Sequence, residues 1–284
     1  MSLSLFIDNL KRSLQKRTKI TQNSKSYSGW QSRGYINAPR ASIIFESHNK
    51  SLQIIHLVEK LRQYSSDIEI IVIDDGSDLS HTQALAKYLT RGNEFLVRAN
   101  DLYENVMYDR TIRLANSNYV ALLQDDDDFD DFTWIDRAIE LMQAHPKLAI
   151  LGGMDAMDVV FDDDTHRGHG GPFPHGEEFC FAPTVNRAPM WINRQLFLQY
   201  IGHIDFDYAP FQYDDYEMCL RAWLQGVQVG WYKVNVKSLT VGGMRLWNNA
   251  FTQEQCLRNG PRLYETYKTR IDEIHTLVQQ ANRE

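Results

Sequence analysis

The chain has 284 residues, 43% of them hydrophobic and 24% charged, which is the composition of a folded protein with ample buried core. A formal net charge of −7 argues against a nucleic-acid binder, whose phosphate contacts need a basic surface. Cys180, Cys219 and Cys256 lack CxxC spacing and read as reduced thiols of a cytoplasmic protein, and neither a signal peptide nor an apolar run of about 18 residues is present.

The amino-terminal segment is basic, with Lys11, Arg12, Lys16, Arg17, Lys19, Lys25, Arg33 and Arg40 against Asp8 alone. Leu3, Leu5, Phe6, Leu10 and Leu14 fall near helical spacing and predict an amphipathic helix from Ser4 to Lys16. Such a helix can dock at the inner face of an anionic membrane. Packing on its own domain, or a partly ordered leader, is the plainer reading and the favoured one.

From Ala41 to Gly153 short β-rich runs alternate with helical patterns. Ala41 to Phe45 reads as a buried strand, followed by a helix over Leu52 to Tyr64. Ile68 to Ile73 is a second strand, ended by Asp74-Asp75-Gly76-Ser77, with a helix near His81 to Leu89. Phe95 to Val97 is a weaker strand. A helix over Asn105 to Ala115 leads to the strand Tyr119 to Leu123, and a helix from Trp134 to Ala144 precedes the strand Ala149 to Leu151. This alternation predicts a mostly parallel sheet covered on both faces. Ligands of such sheets bind at the carboxyl ends of strands, where both acidic motifs lie. Beyond Gly153 the rhythm changes. The polar stretch from Asp162 to Glu178, with four glycines, two prolines and three histidines, predicts a mobile loop. A helix near Tyr216 to Leu224 and one long helix from Thr252 to Ala281 follow.

Six of the seven residues from Asp125 to Asp131 are aspartates. Carboxylates this close repel one another by several kcal/mol at an effective dielectric of about 20. Asp130 and Asp131 are explained as charges capping the helix that follows. Four more just upstream are not. An EF-hand is excluded, because Phe129 stands where a ligand is needed and Asp130 where that loop requires glycine. A hard divalent cation, Mg2+ or Mn2+, held by one or two carboxylates and substrate phosphates fits the remainder.

Five motifs in order carry a resemblance. They are Ser42-Ile-Ile-Phe-Glu-Ser-His-Asn49, Ile70-Ile-Val-Ile-Asp-Asp-Gly-Ser77, Tyr119 to Asp128, His145-Pro-Lys-Leu-Ala-Ile-Leu-Gly-Gly153, and Tyr213-Asp-Asp-Tyr-Glu-Met-Cys-Leu-Arg221. Together, over roughly Arg40 to Lys237, they resemble the GT-A fold, family 2 inverting glycosyltransferases. The resemblance implies an α/β, Rossmann-like sheet flanked by helices, an irregular acceptor side and a C-terminal helical tail. Residues 1–39 would be a leader, 40–153 the nucleotide-sugar-binding half, 154–250 the acceptor and catalytic half, and 251–284 the terminal helix. By position, Ser47, His48 and Asn49 would meet the base and ribose, and Asp75 would accept the base N3–H of a uracil or thymine. Asp125 and Asp127 match the DXD metal motif, with Asp127 the first choice as ligand. Asp126 would lie near the ribose or donor sugar, with Asp214 among the substrate contacts, and Asp215 matches the catalytic base. Trp191 and Trp247 are core residues or faces on which a sugar stacks. The implied donor is a UDP-sugar or related pyrimidine nucleotide sugar, and the acceptor a glycan or lipid-linked hydroxyl in cell-surface synthesis.

The chemistry asks for these groups independently. Breaking a glycosyl–diphosphate bond builds negative charge on the leaving group, which a cation neutralises. A carboxylate on the far side of the anomeric carbon takes the acceptor proton. For Asp214 and Asp215 the residues alone leave helix capping equally open. Three departures stand out: Glu46 replaces a usual proline, His48 a usual aromatic, and Met107-Tyr-Asp-Arg-Thr-Ile112 the usual Ala-Arg-Asn-x-Gly-Ile. Thr240, ahead of Gly242-Gly243, stands where relatives carry a histidine. The aspartates and histidines of Asp162 to His175 are better read as a solvated loop closing over substrate than as a zinc site. Two alternatives remain open. A sugar-1-phosphate nucleotidylyltransferase would need a Gly-rich loop where this chain has Glu46-Ser-His-Asn-Lys50, and a non-catalytic nucleotide-sugar or glycan-binding module would not need Asp215.

Overall fold

A computed structural model describes residues 7–8, 10–15, 36, 38–174, 176, 178–187, 189–238 and 249–283. Thr240, Gly242, Gly243, Trp247, His175 and most of the basic leader lie outside the described residues. Residues 7–8 and 10–15 are helical, with Ile7 and Leu10 exposed. Among the described residues no helix is long and apolar enough to cross a membrane.

The first half alternates as its sequence predicts: β1 (Ala41–Ser47), α1 (Ser51–Tyr64), β2 (Ile68–Asp75), α2 (Leu79–Tyr88), β3 (Glu94–Ala99), α3 (Tyr103–Leu114), β4 (Tyr119–Leu123), the short β5 (Asp127–Phe129), α4 (Thr133–Ala144) and β6 (Leu148–Gly152). Every residue of β2 is buried, as a strand covered on both faces requires. In α1 the buried residues Ile54, Leu57, Val58 and Leu61 recur at helical spacing and form the stripe that packs on the sheet. The second half adds β7 (Ala156–Asp162), β8 (Arg167–Pro172), β9 (Phe179–Phe181), β10 (Thr184–Val185), β11 (Met190–Asn193), α5 (Asp214–Leu224), β12 (Gln228–Tyr232), β13 (Val236–Ser238), α6 (Asn249–Tyr267) and α7 (Ile271–Ala281).

One eight-stranded sheet runs β3-β2-β1-β4-β11-β6-β12-β9. Strands β3, β2, β1 and β4 pair in parallel, and β12 pairs in parallel with β6. Strand β11 lies antiparallel between β4 and β6, and β9 antiparallel on β12. The reversed β11 has a consequence for the site. Residues just ahead of it reach the same edge as the carboxyl ends of its parallel neighbours.

Four expectations are corrected. Asp162 to Glu178 is not a loop throughout, because β7 and β8 form a hairpin paired from Met157↔Pro172 to Asp162↔Arg167. Its turn is set by Asp162, whose carboxylate accepts from the amides of Asp164 and Thr165 and the Thr165 hydroxyl at 2.9, 3.2 and 2.8 Å. The glycines that suggested a loop instead allow close packing. A Cβ at Gly170 would fall 2.9 Å from Cζ of Tyr216. Second, the C-terminal helix is two helices, α6 and α7, separated by residues 268–270. Third, Asp131 accepts from the Thr133 amide and hydroxyl at 2.9 and 2.5 Å and so caps α4, whereas Asp130 pairs with Lys237 of β13 at 2.6 Å. Fourth, Trp191 offers no face to a sugar. It is fully buried in β11, its indole N–H donates to the Tyr232 hydroxyl at 2.9 Å, and its ring meets Trp134 edge-on at 5.5 Å.

Candidate active site

The ends of β1 and β2 are laced together before any ligand arrives. The His48 ring Nδ1 lies 2.7 Å from the Asp75 carbonyl, which only accepts, so Nδ1 carries the hydrogen and Nε2 faces the Asn49 amide at 3.3 Å. Asn49, at φ 59, donates its backbone N–H to Ser77 Oγ and accepts the Asp78 amide on its side chain, at 2.9 and 2.7 Å. Gly76 turns the chain after Asp75 at φ 78, and a Cβ there would sit 2.9 Å from Cγ of Asp101. Asp75 is buried, and its two oxygens accept from the amides of Leu102 and Tyr103 at 2.9 and 2.7 Å. Each oxygen keeps a further lone pair for a ligand N–H. Ser47 is buried at the end of β1, its hydroxyl without a hydrogen-bond partner among the described residues.

The aspartate run divides by partner. Asp125 accepts from the His48 amide at 3.0 Å and Lys50 Nζ at 2.9 Å. Burial nevertheless raises its carboxyl above the usual range, the Lys50 and His48 contacts offsetting only part. Asp126 takes the Ser238 hydroxyl at 3.2 Å. Asp127 is buried and accepts the Gln124 amide at 2.7 Å. Burial, with the charges of Asp126, Asp125 and Glu104, pushes Asp127 well up. Burial works against the Asp128 charge, but Lys60 Nζ at 2.6 Å and the Phe129 backbone amide together outweigh it and lower the carboxyl. The site thus concentrates hard oxygen donors that repel one another, and a bound divalent cation would relieve that repulsion. Among the described residues no group of three or more His, Cys, Asp or Glu side chains forms a ready-made metal cage.

Arg187, just ahead of the reversed β11, joins the two halves. Its guanidinium bonds Glu104 of α3 at 2.6 Å and Asp214 of α5 at 2.5 Å, and lies 5.0 Å over the Tyr108 ring. Burial works against its charge, but Asp214, Glu104 and Asp215 hold its pKa well above the ordinary value. Glu104 also accepts Gln124 Nε2 at 2.8 Å. One hydrogen-bond chain therefore runs Asp127, Gln124, Glu104, Arg187, Asp214. Asp215 follows at the head of α5, half-buried, with an oxygen 3.0 Å from the Tyr216 amide. Glu46 faces the same centre. Burial and the charges of Glu104, Asp75 and Asp125 raise its carboxyl well above normal, Arg187 partly offsetting them, and Oε2 is enclosed without a hydrogen-bond partner among the described residues.

The structure thus brings Ser47, His48, Asn49, Asp75, Asp125, Asp126, Asp127, Asp214 and Asp215 to one edge of the sheet and leaves Trp191 in the core. Arg187, Glu104, Gln124 and Lys50 escaped sequence reasoning. Arg187 sits in Asn186-Arg187-Ala188, a tripeptide with no motif or periodicity. The one available signal was indirect. Tyr108 stands where the resemblance expects an arginine, and a guanidinium from another element now covers its ring.

A sequence profile described as Glycosyl transferase family 2 matches residues 42–227. The chain belongs to glycosyl transferase family 2. No curated protein matches it. Among solved structures it is similar to GalNAc-T7 with UDP, GalNAc and Mn2+ (TM-score 0.57, 14% identity, 69% of this chain and 43% of that one). It is also similar to the mannosyltransferase PcManGT of Pyrobaculum calidifontis with GDP-Man and Mn2+ (0.54, 14%, 76% and 61%) and to S. aureus TarS 1-349 with UDP-GlcNAc (0.52, 16%, 73% and 60%). These likenesses establish a GT-A-like fold. The chain spans between 43% and 61% of the length of those chains.

Proposed function

We propose that this protein is an inverting glycosyltransferase that moves a sugar from a pyrimidine nucleotide sugar, UDP-linked in the first instance, to a hydroxyl acceptor. The observation that carries the reading is the hydrogen-bond chain from Asp127 to Asp214, which sets the acidic end of β4 against the carboxylate pair of α5. Donor activation and acceptor deprotonation need these two groups on opposite sides of one anomeric carbon. Asp75, with a lone pair left on each oxygen, suits the N3–H of uracil, and Ser47, His48 and Asn49 border the base and ribose. Asp127, with Asp125, would hold a divalent cation together with the donor diphosphate. When bound, the cation neutralises charge developing on the departing diphosphate. Asp126 and Asp214 face the donor sugar in this reading.

The reaction balances in one displacement. The acceptor oxygen attacks the anomeric carbon while that carbon's bond to the diphosphate oxygen breaks, its electron pair leaving on the diphosphate. The hydroxyl proton passes to Asp215, and the anomeric centre inverts. Arg187 holds Asp214 in place beside the base through their 2.5 Å ion pair. Two similar proteins favour uracil, GalNAc-T7 holding UDP and TarS holding UDP-GlcNAc, whereas PcManGT holds GDP-Man. The test is a panel of UDP-glucose, UDP-galactose, UDP-GlcNAc and GDP-mannose with Mn2+, read by thermal shift and by nucleotide release. Stabilisation by a UDP-sugar with slow UDP release is expected. GDP-mannose alone stabilising the fold would overturn the pyrimidine assignment, and turnover by Asp215→Asn at the wild-type rate would remove the base.

A further inference from the structure

Asn259 lies on α6, beyond the stretch that matches the family, and its side chain is fully buried. Its amide nitrogen donates to the carbonyls of Tyr208, Phe211 and Gln212 at 3.0, 3.1 and 2.9 Å. A side-chain amide has two N–H bonds, so at least one is shared between acceptors. All three carbonyls belong to the segment that runs directly into Asp214 and Asp215. That segment is bent against preference: Gln212 and Tyr213 sit at φ 77 and 65, a left-handed region that side chains with a Cβ seldom occupy. Such backbone persists only where its surroundings over-determine it.

The surroundings here are two helices. From one side, Asn105 of α3 donates its side-chain amide to the Asp205 carbonyl at 3.0 Å and its backbone N–H to Pro210 at 3.4 Å. From the other, Arg258 of α6 bonds the Ala209 carbonyl and steadies the Asn259 oxygen at 3.1 Å. The first helical bond of α5 follows at once, from the Glu217 amide to the Tyr213 carbonyl at 2.9 Å. The direction in which α5 leaves the turn, and so the aim of Asp215, is set by how tightly those carbonyls are held.

We propose that Asn259 is a positioning residue for the catalytic centre, holding the left-handed turn from which Asp215 is presented. The C-terminal helices are then part of the active-site machinery of this chain. The proposal rests on the reading of Asp215 as the base. Its test combines two measurements. Hydrogen exchange of the peptide covering residues 208–215 is compared between wild type and Asn259→Ala, and UDP release is followed with whichever of UDP-glucose, UDP-galactose or UDP-GlcNAc wild type turns over fastest in Mn2+. Faster exchange confined to that peptide is expected. So is a loss of kcat on the order of 100-fold, the cost of misplacing a reacting group by about 1 Å, with donor KM unchanged. In the Asp215→Asn background, Asn259→Ala should cause no further loss, because the group it aims is already gone.

Wild-type exchange in the peptide, wild-type kcat, or a second full loss on top of Asp215→Asn would each overturn the proposal. A wild-type rate for Asp215→Asn alone strikes the base assignment instead, while the exchange comparison still judges the hold on the turn. If Asn259→Ala does not fold, Asn259→Ser, which keeps one donor, must show the same kcat loss in smaller measure, and unchanged kcat there would equally overturn it.

Discussion

The sheet edge proposed to take the donor, called the donor edge below, and the turn before α5 each bring carboxylates into a crowded space, and they do it by opposite means. At the donor edge, successive strand–helix units end in parallel, so Ser47, Asp75 and the Asp125 run arrive side by side through topology alone. Their local contacts are to backbone amides of His48, Leu102, Tyr103 and Gln124 and to the nearby side chains of Lys50, Lys60 and Ser238. At the turn, no repeat delivers Asp214 and Asp215. They are held by side chains drawn from α3, from the loop ahead of β11, and from α6. The first region should therefore tolerate changes of charge without losing its shape. The second should couple rate to stability, because Arg187, Asn105 and Asn259, which hold it, are also buried.

The sharpest probe of the contrast is Asp215→Asn. It should lower UDP release by about 10²- to 10⁴-fold, the usual worth of a general base, while the unfolding midpoint stays near wild type. Next comes Arg187→Ala, which leaves Glu104 and Asp214 facing each other without their shared cation. Losing one partner of a buried ion pair costs about 3–5 kcal/mol, readable by urea unfolding. A cost near zero would mean the chain between the two regions carries no load. At the donor edge the expected effect is smaller and depends on ligand. UDP at 100 times its dissociation constant should stabilise by about 2.7 kcal/mol, and EDTA or Asp127→Asn should remove most of that while the unliganded fold keeps its stability. If protection by UDP were the same in Mn2+ and in EDTA, the cation would have no place there.

Gly170→Ala bears on the hairpin against α5. The added methyl meets Tyr216, and overpacking of this kind costs about 1–3 kcal/mol. The smallest effect concerns pH. His275 of α7 lies 2.8 Å from Asp158 of β7, and that hydrogen bond raises the imidazole above its usual value near 6.5 despite partial burial. A raised folded-state value means the contribution is complete below about pH 6.5 and fades as pH climbs through the higher one. Because the pair is part-exposed, the loss should stay under about 1 kcal/mol. Urea midpoints on either side of that window, with Asp158→Asn as the control that abolishes the difference, measure it.

Much of the fold was legible because each half-buried or fully buried element advertises its own period. The continuous apolar run of Ile68 to Ile73 and the stripe of α1 need no distant partner to be recognised. The hairpin of β7 and β8 was not legible, since glycines that usually break structure serve there to admit Tyr216 and α6. The same limit applied to Trp191: an indole reads alike whether it stacks on a sugar or fills a core, and only the Tyr232 hydroxyl beside it decides.

The sequence by itself determined the alternating α/β order, the acidic strand ends and the family they belong to, because backbone periodicity and short motifs are local properties. It could not place Arg187 or Asn259, whose roles exist only through partners dozens of residues away. A side chain that bonds three carbonyls, or bridges two helices, leaves no periodic mark in the chain. Tertiary structure alone decided how the two acidic regions are joined, because burying a charge or a left-handed turn is tolerable only where other elements supply its partners.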